Sequence, residues 1–178
     1  MTVWILAALV GAAPPITEEN WREHPAIREI RGVFQDVENL RETERLNKKE
    51  RTFSDCLAYK DDLSRALFSD AKGTPRLYTR QAGSEDSAIT IKAYYDGKAR
   101  LRFVLADAGA VNATSVRIRV YFDEAGKLLW ENREIIAGPG YPFPEPWPDK
   151  WTARDPAKAF LGPSLCPEED SEAANADD

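Results

Sequence analysis

Apolar and polar residues alternate along the centre of the chain, from Ser87 to Ile136. This period of two places successive side chains on opposite faces of a β-sheet. Short segments containing Asp and Gly interrupt the alternation, as they do between the strands of β-hairpins. We therefore predict an antiparallel meander of about six strands, at residues 65–69, 75–81, 88–95, 99–106, 114–122 and 127–136.

Three of the predicted turns share one pattern, in which an aromatic residue is followed by Asp and then by Gly. Glycine is favoured at such turns because one residue must take a positive φ. Asp is favoured because its side chain accepts hydrogen bonds from the backbone of the turn. The three copies are Phe68-Ser69-Asp70 with Gly73, Tyr95-Asp96-Gly97, and Phe122-Asp123 with Gly126.

The length of each turn decides which side chains share a face of the sheet. We expect a three-residue loop with a bulge at Gly97, because an odd loop unites the apolar positions of the two strands. These positions are Ile89, Ile91, Ala93 and Tyr95, with Leu101, Phe103 and Leu105. The next hairpin is expected to have the same parity, so that Phe122 shares a face with Leu128 and Trp130.

Residues 17–51 have the pattern of an amphipathic helix. Their apolar residues recur at helical spacing, at Ile27, Ile30, Phe34, Val37 and Leu40. Two starts of the helix are possible from the sequence, a capping box at Asn20 or a later first turn at Pro25. The predicted fold is therefore α+β, with an N-terminal amphipathic helix packed on the apolar face of the meander.

The N-terminal residues form a short apolar run. We predict that residues 1–12 are a signal peptide, because Val10 and Ala12 provide the small residues of a cleavage site. The alternatives are a wrongly assigned start and a buried apolar segment. The run is too short to span a bilayer, so we expect no transmembrane span and an exported protein, periplasmic or secreted.

The C-terminal part of the chain changes in composition twice. Residues 52–166 are predicted to form the meander and then a proline-rich segment, whose aromatic side chains wrap the same domain. The alternative is that this segment presents a polyproline II ligand. Residues 167–178 contain six acidic residues and no Lys or Arg. These six equal the whole net charge of −6, so the remaining body is formally neutral. We predict a disordered acidic tail.

Cys56 and Cys166 are the two cysteines of the chain and flank the predicted sheet. In an oxidising compartment we expect them to form a disulfide. The alternative is two unrelated thiols. Two cysteines without clustered histidines do not form a zinc site, so we predict no metal and no cofactor.

One face of the sheet combines cations with tyrosines. If the apolar set faces the helix, this second face points away from it and offers a platform for an anionic or aromatic ligand, or for a protein partner. An exported location argues against nucleic acid as the partner. The alternative is an ordinary solvated face. The predicted binding residues are Lys92, Tyr94, Arg100, Arg102, Arg117, Arg119 and Tyr121.

The function is therefore predicted to be binding or interaction, by a small exported protein of one domain. A related hypothesis is that the acidic tail folds back over the basic face and competes with its ligand. Little in the sequence indicates catalysis, because His24 is the only histidine and no nucleophile motif or phosphate loop accompanies it. The alternative is a hydrolase-like enzyme that uses an unidentified pair of acidic residues.

The repeated turns also carry a resemblance. Tyr95-Asp96-Gly97-Lys98 and the segment from Tyr121 to Lys127 resemble the aromatic-Asp-x-Gly-Lys hairpins of uncharacterised exported bacterial proteins. They are more distantly similar to the tyrosine-aspartate hairpin repeats of large bacterial surface proteins. The resemblance covers about 50 residues of the sheet. It implies bacterial export and an array of β-hairpins, and it supplies no catalytic residues.

Overall fold

The computed structural model describes residues 14–53, 61–143, 153–164 and 166–168. These residues form a seven-stranded antiparallel sheet with one long and one short helix. The elements, in chain order, are α1 Pro25–Glu42, β1 Asn47–Thr52, β2 Asp61–Ser69, β3 Pro75–Gly83, β4 Ser87–Tyr95, β5 Leu101–Ala110, β6 Ser115–Phe122, β7 Leu128–Ala137 and α2 Pro156–Leu161.

The strands follow one another across the sheet in sequence order, from β1 to β7. The predicted α+β fold, with an amphipathic helix on an antiparallel meander, is therefore confirmed. The sheet has seven strands instead of six, because residues 47–52 pair with β2 as an edge strand. The predicted helix over residues 17–51 is too long at both ends.

Helix α1 begins at the later of the two starts considered. His24 caps it, because its Nδ1 accepts a hydrogen bond from the N–H of Ala26 at 3.3 Å and Pro25 occupies the first turn. The other ring nitrogen, Nε2, then donates to the carbonyl oxygen of Pro14 at 2.8 Å. The helix ends at Glu42, and Glu44 has a φ of 55°, which turns the chain away towards β1.

The three repeated turns have the same geometry. In each, the Asp carboxylate accepts hydrogen bonds from the backbone N–H groups two and four residues later. The residue three positions after the Asp takes the positive φ, and it is Gly73, Ala99 or Gly126. The bulge predicted at Gly97 is therefore wrong, because Ala99 takes the left-handed conformation in the second turn.

Each hairpin also contains one extra residue just after its turn. The register places Tyr95 opposite Leu101 but Tyr94 opposite Phe103, so Arg102 has no partner across the ladder. The equivalent residues in the hairpins before and after are Arg76 and Leu129. Because side chains alternate with a period of two, one extra residue exchanges the two faces of the strand that follows.

The two faces of the sheet consequently differ from the predicted ones. We call face A the side that carries Tyr94, Phe103 and Tyr121, and face B the side that carries Ile91 and its cross-strand neighbours. Phe103 was expected beside Ile91 and lies instead on face A. Trp130 was expected beside Phe122 and instead pairs with Tyr121, also on face A.

Helix α1 packs on face A. Ile27, Ile30 and Val37 are completely buried in its contact with the sheet. The ring of Phe34 lies 5.0 Å from that of Tyr94, centroid to centroid, in an edge-to-face arrangement. The expectation that the set containing Ile91 faces the helix is wrong, because the extra residues move the aromatic row under α1.

Face B is covered by the C-terminal part of the chain. Phe143, Ala153 and Phe160 are buried against it. The Tyr95 hydroxyl donates to the carbonyl oxygen of Ala153, and Arg65 donates to three backbone carbonyls at the end of α2. The described parts of the predicted wrap therefore pack on the body, while residues 144–152 lie outside the described residues.

The start of the acidic tail is docked on the sheet edge. Glu168 forms an ion pair with Arg51, in which Arg51 Nη2 lies 2.8 Å from Glu168 Oε2, and its backbone forms a bridge with Phe53. This pair and bridge place Glu168 beside β1, and the predicted disorder of residues 167–178 stays a prediction. Residues 169–178 lie outside the described part of the chain.

Two other predictions also concern residues that the structure does not describe. Residues 1–13, which include the predicted signal peptide, are outside it. So is Cys56, although Cys166 is described and buried. Export and the disulfide therefore stay predictions. Among the described residues, no helix is both long and apolar enough to cross a membrane.

Candidate functional site

Face A carries three rows of side chains that run across strands β4 to β7. Helix α1 packs on the first row, and the next two rows are mainly polar and only partly covered. The first row contains Tyr94, Phe103, Tyr121 and Trp130; the second contains Lys92, Leu105, Arg119 and Asn132; the third contains Thr90, Asp107, Arg117 and Glu134.

A cleft of about 280 Å³ lies at the border between α1 and the polar rows of face A. Its walls are formed by α1, β5 and β6. Three arginines and a glutamine surround a floor of four apolar or aromatic residues. The arginines and glutamine are Arg31, Arg117, Arg119 and Gln35, and the floor residues are Phe34, Phe103, Leu105 and Tyr121.

The two arginines from β6 are held by carboxylates of neighbouring strands. Arg117 Nε donates to Asp107 Oδ1 at 2.7 Å. Arg119 Nη1 donates to Glu134 Oε2 at 2.8 Å and to the side-chain oxygen of Asn132 at 3.1 Å. The side chain of Arg117 is 42% exposed. An ion pair this exposed contributes at most about 1 kcal/mol, so a ligand anion can compete for Arg117.

The third arginine comes from α1 and has a different environment. Arg31 Nη1 donates to the backbone carbonyl of Arg22 at 2.7 Å, and its guanidinium lies 5.4 Å from the ring centroid of Trp21. It makes no ion pair with a carboxylate of the described chain. Its remaining N–H donors are available to an anion.

The charges of the cleft do not balance. Three guanidinium groups face two paired carboxylates, Asp107 and Glu134, which leaves one positive charge in excess. The hydrogen bond from Arg119, with the charges of Arg119, Arg22 and Arg117, lowers the pKa of Glu134 below its ordinary value. In a chain with a net charge of −6, the cleft is thus a local cationic site.

Five of the seven predicted binding residues share face A, as predicted. Arg117, Arg119 and Tyr121 line the cleft, and Lys92 lies beside Leu105 in the second row. Tyr94 is completely buried under α1. The face was expected to point away from the helix, and that expectation is wrong for its aromatic row. Placement on this face does not itself test the predicted binding role.

The other two predicted residues take part in the hairpins. Arg100 pairs with Asp96 and Glu124 at the turn end of the sheet. Arg102 is buried, and its Nε donates to the carbonyl of Phe122 in the next hairpin at 3.2 Å. Arg76 makes the equivalent bond to Tyr95 at 3.2 Å. Arg76, Arg100 and Arg102 thus connect neighbouring hairpins. None of the three lines the cleft.

Sequence reasoning missed the contribution of α1 to this site. Arg31 follows the buried Ile30 and stands at the border of the apolar stripe. A cation at such a border can bend towards the sheet, and this was the available signal. Phe103 was recognised as apolar but was placed on the wrong face, so its proximity to the cations was not foreseen.

The described residues give little basis for metal or acid–base chemistry. Within the described ranges, no group of three or more His, Cys, Asp or Glu side chains is arranged to hold a metal ion. Beside the cleft, Asp107 and Glu134 accept hydrogen bonds from its arginines. The arrangement is suited to binding an anion over an apolar surface.

Comparison of this chain with protein-family models, with curated proteins and with solved structures finds no match.

Proposed function

We propose that this protein binds a small organic anion that carries an apolar or aromatic group, in the cleft between α1 and strands β5 and β6. The observation that carries the proposal is the excess guanidinium charge above an aromatic floor. Export, predicted from the N-terminal segment, would place this binding outside the cytoplasm.

The anionic part of the ligand is inferred from the arginines. Arg31 has no carboxylate partner among the described residues, and Arg117 has one that is itself exposed. A carboxylate, sulfonate or phosphate group between Arg31 and the β6 arginines would gain charge-assisted hydrogen bonds. The second-row cation Lys92 adds to the positive potential.

The apolar part of the ligand is inferred from the floor. Phe103 and Tyr121 lie with ring centroids 4.8 Å apart, and Phe34 meets Phe103 edge to face at 5.7 Å. An apolar group of a ligand is favoured against such a surface because it leaves water. The volume of about 280 Å³ is near the lower limit of ordinary ligand pockets, about 300 Å³, so the ligand is small.

The hydrolase alternative requires a carboxylate whose pKa is raised for general acid catalysis. Glu134, which pairs with Arg119 beside the cleft, has the opposite shift, because the hydrogen bond from Arg119 lowers its pKa. No specific contact of the described residues favours hydrolysis, and we propose binding alone.

The test uses two fluorescent probes of the same shape and different charge. Anilinonaphthalene sulfonate is an aromatic anion, and N-phenylnaphthylamine is its neutral counterpart. We expect the sulfonate to bind the folded chain with one molecule per chain and to bind more weakly as salt is added. The neutral probe should bind about tenfold more weakly, because it gains no charge-assisted hydrogen bond.

Variants locate the probe. Arg31→Gln should weaken sulfonate binding by about five- to tenfold. Arg28→Gln is the matched control, because Arg28 is also on α1 but is exposed and outside the cleft. Equal affinity for both probes, or equal effects of the two variants, would contradict the proposal.

A further inference from the structure

The two edges of the sheet differ in how they are protected. Edge strand β1 carries four consecutive charged residues, Lys48, Lys49, Glu50 and Arg51. Charged side chains, Lys above all, prevent an edge from pairing with another strand. Edge strand β7 has apolar residues at both ends, and Leu128, Ile135 and Ile136 are 49%, 59% and 53% exposed.

Strand β7 also has a self-complementary sequence. In an antiparallel pair of identical strands with the same face on the same side, the two-fold axis passes between one residue and its own copy, which lie opposite each other. We name the register by that residue and describe it as on the axis; its neighbours pair across it. With Asn132 on the axis, Glu131 of each strand lies opposite Arg133 of the other. Leu128 and Ile136 lie just outside the regular stretch of residues 130–135 and flank the paired strands at either end.

The three neighbouring registers at charged residues are unfavourable. An axis at Glu131 or Glu134 places that glutamate opposite itself, and an axis at Arg133 places that arginine opposite itself. Like charges directly opposite each other destabilise a strand pair. Asn132 lies within the regular stretch of β7, where residues 130–135 pair with β6 without interruption. Among the registers centred on residues 131–134, opposite charges therefore favour the one at Asn132.

We propose that the protein associates through β7 with a second copy of this chain, forming a continuous sheet with Asn132 on the two-fold axis. Charge complementarity between Glu131 and Arg133, in two symmetric pairs, identifies the second copy as the partner. The pairing satisfies the outer backbone groups of β7 and shields its exposed apolar residues.

The experiment is a charge-reversal series on the full 178-residue chain, followed by analytical ultracentrifugation. The unchanged chain should dimerise. Glu131→Arg and Arg133→Glu should each raise the dissociation constant by at least about tenfold, because each creates two like-charge pairs. Lys49→Glu, on the edge strand β1, is the matched control and should leave the dissociation constant unchanged.

Mixing the two variants distinguishes this register from general effects of charge. Glu131→Arg presents two arginines, and Arg133→Glu presents two glutamates, so an equimolar mixture should form a heterodimer that neither variant forms alone. Thermal melts confirm that each variant is folded. A chain that remains monomeric at its highest soluble concentration, or folded variants that fail to form the heterodimer, would overturn the proposal.

Discussion

Tyr94 donates its hydroxyl hydrogen to Glu38 Oε1 at 2.8 Å, which connects the last turns of α1 to the central strand of the sheet. Burial and this hydrogen bond raise the pKa of Tyr94 far above its ordinary value. Burial would raise the pKa of Glu38, but the hydrogen bonds from Arg41 and Tyr94 lower it. The pair connects α1 to face A, and α1 forms one wall of the cleft.

Replacement of Tyr94 by Phe should destabilise the fold by about 1–2 kcal/mol, because the partly buried Glu38 loses a hydrogen bond. Urea unfolding measures this loss. Tyr121→Phe is the control, since Tyr121 belongs to the same row and its hydroxyl has no hydrogen bond to a described side chain or backbone group. Equal losses in both variants would show that the Glu38 bond contributes nothing specific.

Replacement of Ala99 by Gly should stabilise the protein by about 0.5–1 kcal/mol. Ala99 has a φ of 59°, where an L-residue is strained, and the relief exceeds the entropic cost of an added glycine. Gly73→Ala reverses the test at the equivalent position, where an added Cβ meets nothing within 4 Å. We expect that variant to lose about 1 kcal/mol in thermal or urea unfolding. Opposite signs in the two variants are required.

The turn aspartates should make the fold sensitive to acid. Burial would raise the pKa values of Asp70 and Asp96, but backbone N–H groups and neighbouring arginines lower both below their ordinary values. Their stabilising effect is therefore complete above about pH 4, the unfolded pKa of Asp. It is lost as pH falls through their lower folded pKa values.

Urea unfolding between neutral and strongly acidic pH tests this expectation. Asp96→Asn keeps an oxygen that can accept the turn hydrogen bonds but does not titrate, so the fall in stability below about pH 4 should become shallower. If the fall in unfolding free energy at acidic pH is unchanged in both Asp96→Asn and Asp70→Asn, these two carboxylates are excluded as its cause.

Deletion of residues 169–178 should strengthen binding of the sulfonate probe at low salt. The tail is hypothesised to compete with the ligand for the basic face. It would extend from Glu168, which is paired with Arg51. Ten residues can reach about 33 Å, and the five strand spacings from β1 to β6 require about 24 Å.

Two further measurements make the tail experiment specific. The gain should disappear at high salt, because the competition is electrostatic. A tail of the same length with its acids replaced by Gln and Asn should behave like the deletion. A probe affinity that is the same with and without the tail at low salt would contradict tail competition.

The disulfide prediction can be checked by mass spectrometry under denaturing, non-reducing conditions. We expect neither Cys56 nor Cys166 to react with iodoacetamide before reduction, and both to react afterwards. A link over about 110 residues would stabilise the fold by about 4–5 kcal/mol in the chain-entropy model, so reduction should lower the midpoint of urea unfolding. Labelling of both cysteines without reductant would show two free thiols.

The sequence by itself determined the meander, the positions of its turns and the apolar stripe of α1. These features depend on local patterns: the period of two in the strands, the Asp-containing turns, and the helical spacing of Ile27, Ile30 and Val37. It also grouped Lys92, Arg117, Arg119 and Tyr121 correctly on one face, because the alternation within each of their strands is regular.

The tertiary structure decided which face α1 covers and where the cations meet an apolar surface. The single extra residue at Arg102 or Leu129 exchanges the faces of the following strand. The alternation of apolar and polar residues did not predict the position of this extra residue. The helix then packs on the row of aromatic side chains that this exchange aligns. Arg31 reaches the cleft only through that packing, because residues distant in sequence come together when the chain buries its apolar surface.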